Sequence, residues 1–249
     1  MQAKQHTTSG VARVAHDFSF SARKLTFTSR NLPAIRQDES FCWCPEDYKI
    51  QVSFDLQGTN YPGEDYKPYS QNWEDVDKQL TREESKSFGA NLLWRNPYIE
   101  EIRELSRSGN LDFNKKVIGT FQLLKQKFSW NGEYKLYSEN LDKVLKTGTG
   151  SNADLNFIFI GMLKSFGIKA YPVVMSRRSA GMLPVSFPSL QKLNTFVVAI
   201  YDEVKGKYVY LDGSMDIPAL NVLPVELSVT KARILSADIP ENKKWVNLQ

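Results

Sequence analysis

The sequence predicts an α+β chain, and three observations carry that reading. Short alternating segments fill the first part, helix-period stretches fill the middle, and a nearly all-apolar helix is followed by three strand-like runs. At the start, residues 11–20, 24–29 and 48–56 read as short strands. The alternation Lys24-Leu25-Thr26-Phe27-Thr28 is the plainest of them, and Asn31-Leu32-Pro33 supplies turn chemistry. Residues 1–69 are therefore expected to form a β-rich region belonging to a β-sandwich, and residues 70–249 a second unit with a C-terminal extension. Tyr61-Pro62-Gly63 and Lys67-Pro68 punctuate the loop between them.

The second unit opens with a helix expected over 73–86, for which Ser70 or Asn72 supplies an N-cap. Asn96-Pro97 marks the next helix start, with Ile99, Ile102 and Leu105 sharing one face. Between 113 and 130, Phe113, Val117, Phe121, Leu124 and Phe128 recur at helical spacing, which describes a helix lying on a core. Lys146-Thr-Gly-Thr-Gly150 then leads into Ser151-Asn-Ala-Asp154 and an apolar run to Phe166. That run covers the whole helix circumference, so the helix is central and buried, and Gly167 ends it. Three strand-like runs follow at 169–175, 195–201 and 207–212, the last two joined at Lys205-Gly206. Residues 176–190 form one long loop, and the last residues, through Trp245 and Val246, still look strand-like, as in a piece cut from something longer.

Composition bounds the function. The 249 residues are 41% hydrophobic and 24% charged, with 5 Trp, 11 Tyr and 14 Phe, which is globular composition. The net charge of +4 is spread among acidic residues, so no basic stripe suits nucleic acid. Cys42 and Cys44, separated by one residue, are too close for an easy disulfide, and the only histidines, His6 and His16, lie near the start. No cluster has the makeup of a transition-metal site, and neither metal nor cofactor is expected. No stretch approaches the ~20 apolar residues of a membrane span, and the first ten residues carry no apolar run of a secretory signal. The chain is expected to be soluble, without membrane insertion.

Local words then point to a family. The segment from Val144 to Asn156, the segment Phe166-Gly-Ile-Lys-Ala-Tyr-Pro-Val-Val-Met175, Phe187-Pro-Ser-Leu190, Leu193-Asn-Thr-Phe-Val-Val198 and Tyr210-Leu-Asp-Gly213 follow one another in the order of a papain-type, transglutaminase-like core. The chain resembles transglutaminase-like proteins of the Bacteroidetes type, in which an N-terminal β domain precedes that core. The resemblance covers 73–223, and it implies a periplasmic or cell-surface setting and flanking β domains. It also implies a nucleophilic Cys at the first turn of the buried helix, a His on the first following strand, and an Asp on the next that orients it. Here those positions hold Asn152, Thr195 and Asp212, so one role of three survives. Asn has no ionisable nucleophile and Thr accepts no proton near neutral pH.

The resemblance therefore implies a catalytically inactive domain that binds or scaffolds, with an unidentified peptide, protein or glycan as ligand. Two alternatives stand beside it. One is a non-thiol hydrolase or peptidase that uses Ser151, or a water held by Asp212, on peptides or glycopeptides. The other is a structural spacer with no cleft, its groove filled by side chains such as Phe187, Phe196 or Trp130. Ser151 and Asp154 also have capping-box spacing, and Asp212 before Gly213 also suits a turn. Trp130 is a candidate groove residue as well as a core one. Arg177 and Arg178, at the start of the long loop, are solvated surface or a fork for a carboxylate.

Overall fold

The structure, a computed structural model, describes residues 2–13, 17–39, 42–52, 54, 56, 58–61, 63–68, 72–83, 87–107, 109 and 111–249. The chain is α+β and divides into two compact units, Met1–Ser70 and Gln71–Gln249.

In the first unit, β1 (Gln2–Arg13) and β2 (Asp17–Thr28) pair antiparallel from Gln2 opposite Thr28 to Arg13 opposite Asp17. The strand expected over 11–20 is thus the end of one strand and the beginning of another. The polar stretch from Gln2 to Ser9 gives no hydrophobic alternation, so the pattern alone could not show that β1 begins there. A 3-10 turn, Pro45–Tyr48, precedes the segment expected as a strand over 48–56, and its described residues form no strand. Tyr48, Ile50, Val52, Phe54 and Leu56 do alternate, yet all five are exposed and, among the described residues, no strand pairs with them. A short ladder joins β3 (Gly58–Thr59) to β4 (Lys67–Pro68). The candidate cap Ser70 lies outside the described residues.

The second unit is built around one helix. It begins with α1 (Trp73–Thr81), whose N-cap Asn72 and N3 residue Asp75 make a reciprocal capping box. The helix expected to reach 86 ends at Thr81, and residues 84–86 lie outside the described part. A short helix, α2 (Phe88–Leu92), carries the no-apolar-period segment that pattern reading passed over. Helix α3 (Ile99–Arg107) follows Asn96, whose side chain accepts from Tyr98 N. Helix α4 (Phe113–Lys127) starts from Asp112 as N-cap. It stops three residues short of the expected end, because Ser129 and Trp130 form β5, paired in parallel with β6 (Thr149–Gly150). Between them lies α5 (Leu141–Thr147), closed by Gly148 at φ +69°.

Helix α6 (Asn152–Ser165) is buried from Asn152 through Leu163. Its close neighbours explain its glycine: a Cβ at Gly161 would lie 2.7 Å from a Trp94 ring carbon. It ends in a Schellman motif, with Gly167 N bonded to Lys164 O, Ile168 N to Leu163 O, and Gly167 at φ +76°. The helix packs on a five-stranded antiparallel sheet made of β7 (Ala170–Met175), β8 (Thr195–Asp202), β9 (Lys207–Leu211), β10 (Ala232–Ile234) and β11 (Trp245–Val246), in the order β11-β10-β7-β8-β9. Pro172 sits in the central strand β7, where its carbonyl accepts from Leu235 N at 2.9 Å just past the last β7–β10 pair, Ile234 opposite Val173; having no N–H to return, it marks the end of that ladder. No described helix is long and apolar enough to cross a membrane.

The C-terminal strands are fastened through a buried cation. Arg233 on β10 is wholly enclosed; its Nε and Nη2 each lie 2.7 Å from an oxygen of Asp77 on α1, and its Nη1 and Nη2 each 2.7 Å from an oxygen of Glu241. The Trp73 and Trp245 rings flank the guanidinium at 5.9 and 5.3 Å, and Lys244 Nζ reaches Asp77 at 2.9 Å. Removing the guanidinium leaves Asp77 with too little compensation in an apolar setting. Arg233→Met is therefore expected to lose about 3–5 kcal/mol of stability in urea unfolding followed by tryptophan fluorescence. A loss below about 1 kcal/mol, the scale of an exposed ion pair, would show that the clamp contributes no more than a surface pair.

Candidate functional site

The site forms where the N-terminus of α6 meets the ends of β8 and β9. Ser151 is the N-cap of α6, with its Oγ accepting from Asp154 N at 3.3 Å and donating to Asp154 Oδ2 at 2.7 Å. Ser151 N donates to the same carboxylate oxygen at 2.8 Å. The reciprocal box sets the first turn so that Asn152 points at the sheet.

Asn152, Thr195 and Asp212 come together there, and none of the three exposes any surface. Asn152 Nδ2 donates to Thr195 Oγ1 at 2.7 Å and to Phe196 O at 3.2 Å, while its Oδ1 accepts from Lys135 N at 2.7 Å. Its own backbone N–H is taken by Glu133 O at 3.0 Å. The chain from 133 to 135 thus lies across the helix N-terminus and occupies the donor that an incoming group would need.

One helical turn on, Asn156 completes the seam. Its Nδ2 donates to Phe196 O at 2.7 Å and to Asp212 Oδ2 at 2.9 Å, and its Oδ1 accepts from Gly213 N at 2.6 Å. The other Asp212 oxygen accepts from Ser214 N at 2.9 Å and from the Ser214 hydroxyl. Phe196 O is available to the asparagines because β9 pairs with β8 only from Val198 opposite Leu211 onward, leaving the start of β8 without a strand neighbour on that side. Asn156 was not singled out from sequence, although an Asn four residues after Asn152 in an otherwise apolar helix was a usable signal.

Burial pushes the Asp212 carboxyl above its ordinary range, and the donors from Ser214, Asn156 and Asn152 only oppose that shift. Burial also lowers the ammonium of nearby Lys125, against the pull of Asp216 and Asp212. Lys125 Nζ lies 3.4 Å from Gly213 O.

The other candidates lie around this seam. Trp130 is half-buried; its Nε1 donates to Glu133 O at 2.9 Å and its ring sits 4.9 Å from Tyr134. The Arg177 guanidinium lies 5.7 Å from the same Tyr134 ring and 3.9 Å from Glu226. Burial raises the Tyr134 phenol, with a hydrogen bond from Ser214 opposing it, so Tyr134 links Trp130 and Arg177 to the Asp212 turn. Arg178 opens a half-exposed 3-10 turn, Arg178–Ala180, in the long loop. Of the side chains proposed to fill a groove, Phe187 is exposed and Phe196 belongs to the core with Phe88 and Phe157. Cys42 and Cys44 belong to the first unit.

No family model and no curated protein matches the chain. Among solved structures it is similar to a protein from Parabacteroides distasonis described as a "putative protease", with 16% identity and a TM-score of 0.49 over 94% of this chain and 41% of that one. It is also similar to a TGase, with 16% identity and a TM-score of 0.33 over 68% of this chain and 42% of that one. The chain thus spans less than half the length of either.

The raised carboxyl of Asp212 makes a signed prediction. A folded-state value above the unfolded one near 3.9 means that the native state holds the proton longer. Its contribution is fully present below the unfolded value and is lost as pH rises through the folded one. The stability of wild type relative to Asp212→Asn should therefore fall across that window in urea titrations at successive pH values. A difference that grows with pH would contradict the assignment. Asn156→Ala strips partners from Phe196 O, Asp212 and Gly213 N together and is expected to cost about 3 kcal/mol or more, read from the same titrations at fixed pH.

Proposed function

We propose that the second unit is a degenerate transglutaminase-like core that serves as a non-catalytic scaffolding module of a cell-envelope protein. The observation that carries this reading is the closed seam. The three positions where the resemblance calls for Cys, His and Asp hold Asn152, Thr195 and Asp212, and they are joined through Asn156 with no exposed surface. Thiol chemistry needs an ionisable sulfur that substrate can reach, and this seam offers neither. The periplasmic or surface setting and the flanking β domains rest on the same family resemblance.

The burial weighs between the remaining roles. A hydrolase using Ser151 lacks an activated hydroxyl, because that group donates to Asp154 in the capping box and the sequence of the second unit contains no His. A water-based hydrolase at Asp212 lacks access, since the carboxylate is held by Ser214 and Asn156 and shut from solvent. A ligand seated on the three positions themselves would have to displace the 133–135 segment. The scaffold reading needs none of this.

The test is an amine-incorporation and deamidation assay on glutaminyl peptides, run beside a peptidase assay on peptides and glycopeptides. Wild type, Asn152→Ala, Ser151→Ala and Asp212→Asn are all expected at background. Turnover by wild type that Asn152→Ala or Ser151→Ala abolishes, with the variant still folded, would overturn the proposal.

A further inference from the structure

The sequence holds one Asn-Gly pair, Asn131-Gly132, and one Asp-Gly pair, Asp212-Gly213. In such pairs the side-chain carbonyl carbon can close a five-membered ring with the next backbone nitrogen, and glycine puts no side chain in the way. The fold treats the two pairs oppositely. Asp212 exposes no surface, Gly213 N is engaged by Asn156 Oδ1 at 2.6 Å, and a Cβ at Gly213 would lie 3.0 Å from Leu155 Cβ. Asn131 and Gly132 are both exposed, and Gly132 N donates to no group among the described residues. A Cβ built at Gly132 would meet nothing within 4 Å.

The Asn131 amide is also polarised. Its Oδ1 accepts from Glu133 N at 2.9 Å, and its Nδ2 donates to Glu133 Oε2 at 3.2 Å. The first bond sets a donor on the oxygen where negative charge gathers when a nucleophile adds to the amide carbon. The same turn begins the cover over the seam. Before it, Asn131 N donates to Gly150 O at 2.9 Å, continuing the β5–β6 pairing. After it, Glu133 O accepts from Trp130 Nε1 and Asn152 N, and Lys135 N donates to Asn152 Oδ1. The backbone between Asn131 and Glu133 is thus pinned at both ends.

We propose that Asn131 is a site of spontaneous modification by water, converting to aspartate and isoaspartate, and that the isoaspartyl form frees the 133–135 segment from the N-terminus of α6. Gly132 N loses its proton to hydroxide and bonds to Asn131 Cγ. The Cγ–Nδ2 bond breaks, and ammonia leaves with a proton from water, which restores the hydroxide. Water then adds to either carbonyl of the cyclic imide, and the bond from that carbon to Gly132 N breaks. One water is consumed and one ammonia released, with no oxidation or reduction. Opening at Cγ gives aspartate on an ordinary backbone. Opening at the main-chain carbonyl routes the chain through the side chain and lengthens it by a methylene. Because Asn131 N is continuous with the β5–β6 pairing, the 133–135 loop is the side that yields. This modification is independent of the scaffold reading, which concerns the role of the unmodified core.

The test is incubation of the folded full chain in heavy-oxygen water at neutral and mildly alkaline pH. Digestion with trypsin in ordinary water and mass spectrometry then follow the peptide 128–135, in which Asn131 is the only asparagine. That peptide should take up one labelled oxygen, divide into aspartyl and isoaspartyl forms, and convert about tenfold or more faster than the other asparagine-containing peptides. Its conversion should quicken with pH, because hydroxide takes part, while Asp212 yields no isoaspartate. Hydrogen exchange at the amides of Asn152 and Lys135 should rise about tenfold or more in the isoaspartyl fraction, the loss of one hydrogen bond's protection. It should stay at the wild-type rate in Asn131→Asp, which has the charge without the added methylene. Conversion at Asn131 no faster than elsewhere would overturn the site. Exchange in the isoaspartyl fraction equal to that of the unmodified chain, or matched by Asn131→Asp, would overturn the release.

Discussion

A helix buried on every side must bring partners for the polar groups it carries, and α6 carries two such side chains, Asn152 and Asn156, along one face of its first turns. The double use of Phe196 O is what makes this possible. That carbonyl lies where β9 has already parted from β8, so it has no strand donor, and it accepts from both Asn152 and Asn156. Asn156 spends its remaining hydrogen on Asp212 and its oxygen on Gly213 N, tying the helix to the end of β9. A buried network of this kind is stabilising only when every member is satisfied. Here the helix position, the start of β8 and the turn after β9 are therefore mutually determined, and no one of them can shift alone.

Arg233 imposes the same logic at the far edge of the sheet. Strand β10 has only three residues and β11 two, too few for backbone pairing to hold them in place unaided. The guanidinium draws α1, β10 and the Glu241 turn onto one buried point, and its planar fork matches both carboxylates at once. Two tryptophan faces close around it and exclude water, which strengthens the pairing while raising the penalty for any missing partner. The C-terminal strands are thus part of the second unit's core and not a loose extension.

What could be read in the sequence was what is local. The Ser151–Asp154 box, the Gly167 stop, the buried character of α6 and the Lys205-Gly206 turn depend on residues within a few positions of one another, and each forms. The positions Asn152, Thr195 and Asp212 were reached through the order of family-like words, and the structure brings them into one network. Other features lay beyond pattern reading. Arg233 and Asp77 are 156 residues apart, and nothing in either neighbourhood names the other. Strands of two or three residues carry no period, so β5, β6 and β10 gave no signal. The alternation from Tyr48 to Leu56 misled because alternation reports a strand only when a neighbour pairs with it. The closure of the seam depends on the path of 133–135 across the helix end, a matter of loop geometry that residue types there do not reveal.

The chemistry of the seam explains how polar side chains at this buried junction are accommodated. A working nucleophile and base need unfilled hydrogen-bonding capacity and an approach for substrate, both of which weaken packing where they occur. Asn152 fills that space with an amide whose two hydrogens and oxygen all find protein partners, and Thr195 adds a small hydroxyl acceptor with a methyl group that suits a buried strand position. Asp212 is the exception. It remains a carboxyl in a fully enclosed site, with its ionised form disfavoured by burial and only partly restored by its donors. Asn156 and Ser214 present hydrogens to both of its oxygens, an arrangement that suits the ionised form against which burial acts. The geometry of its neighbours thus opposes what burial does to the same carboxyl, and the balance of the two sets its protonation.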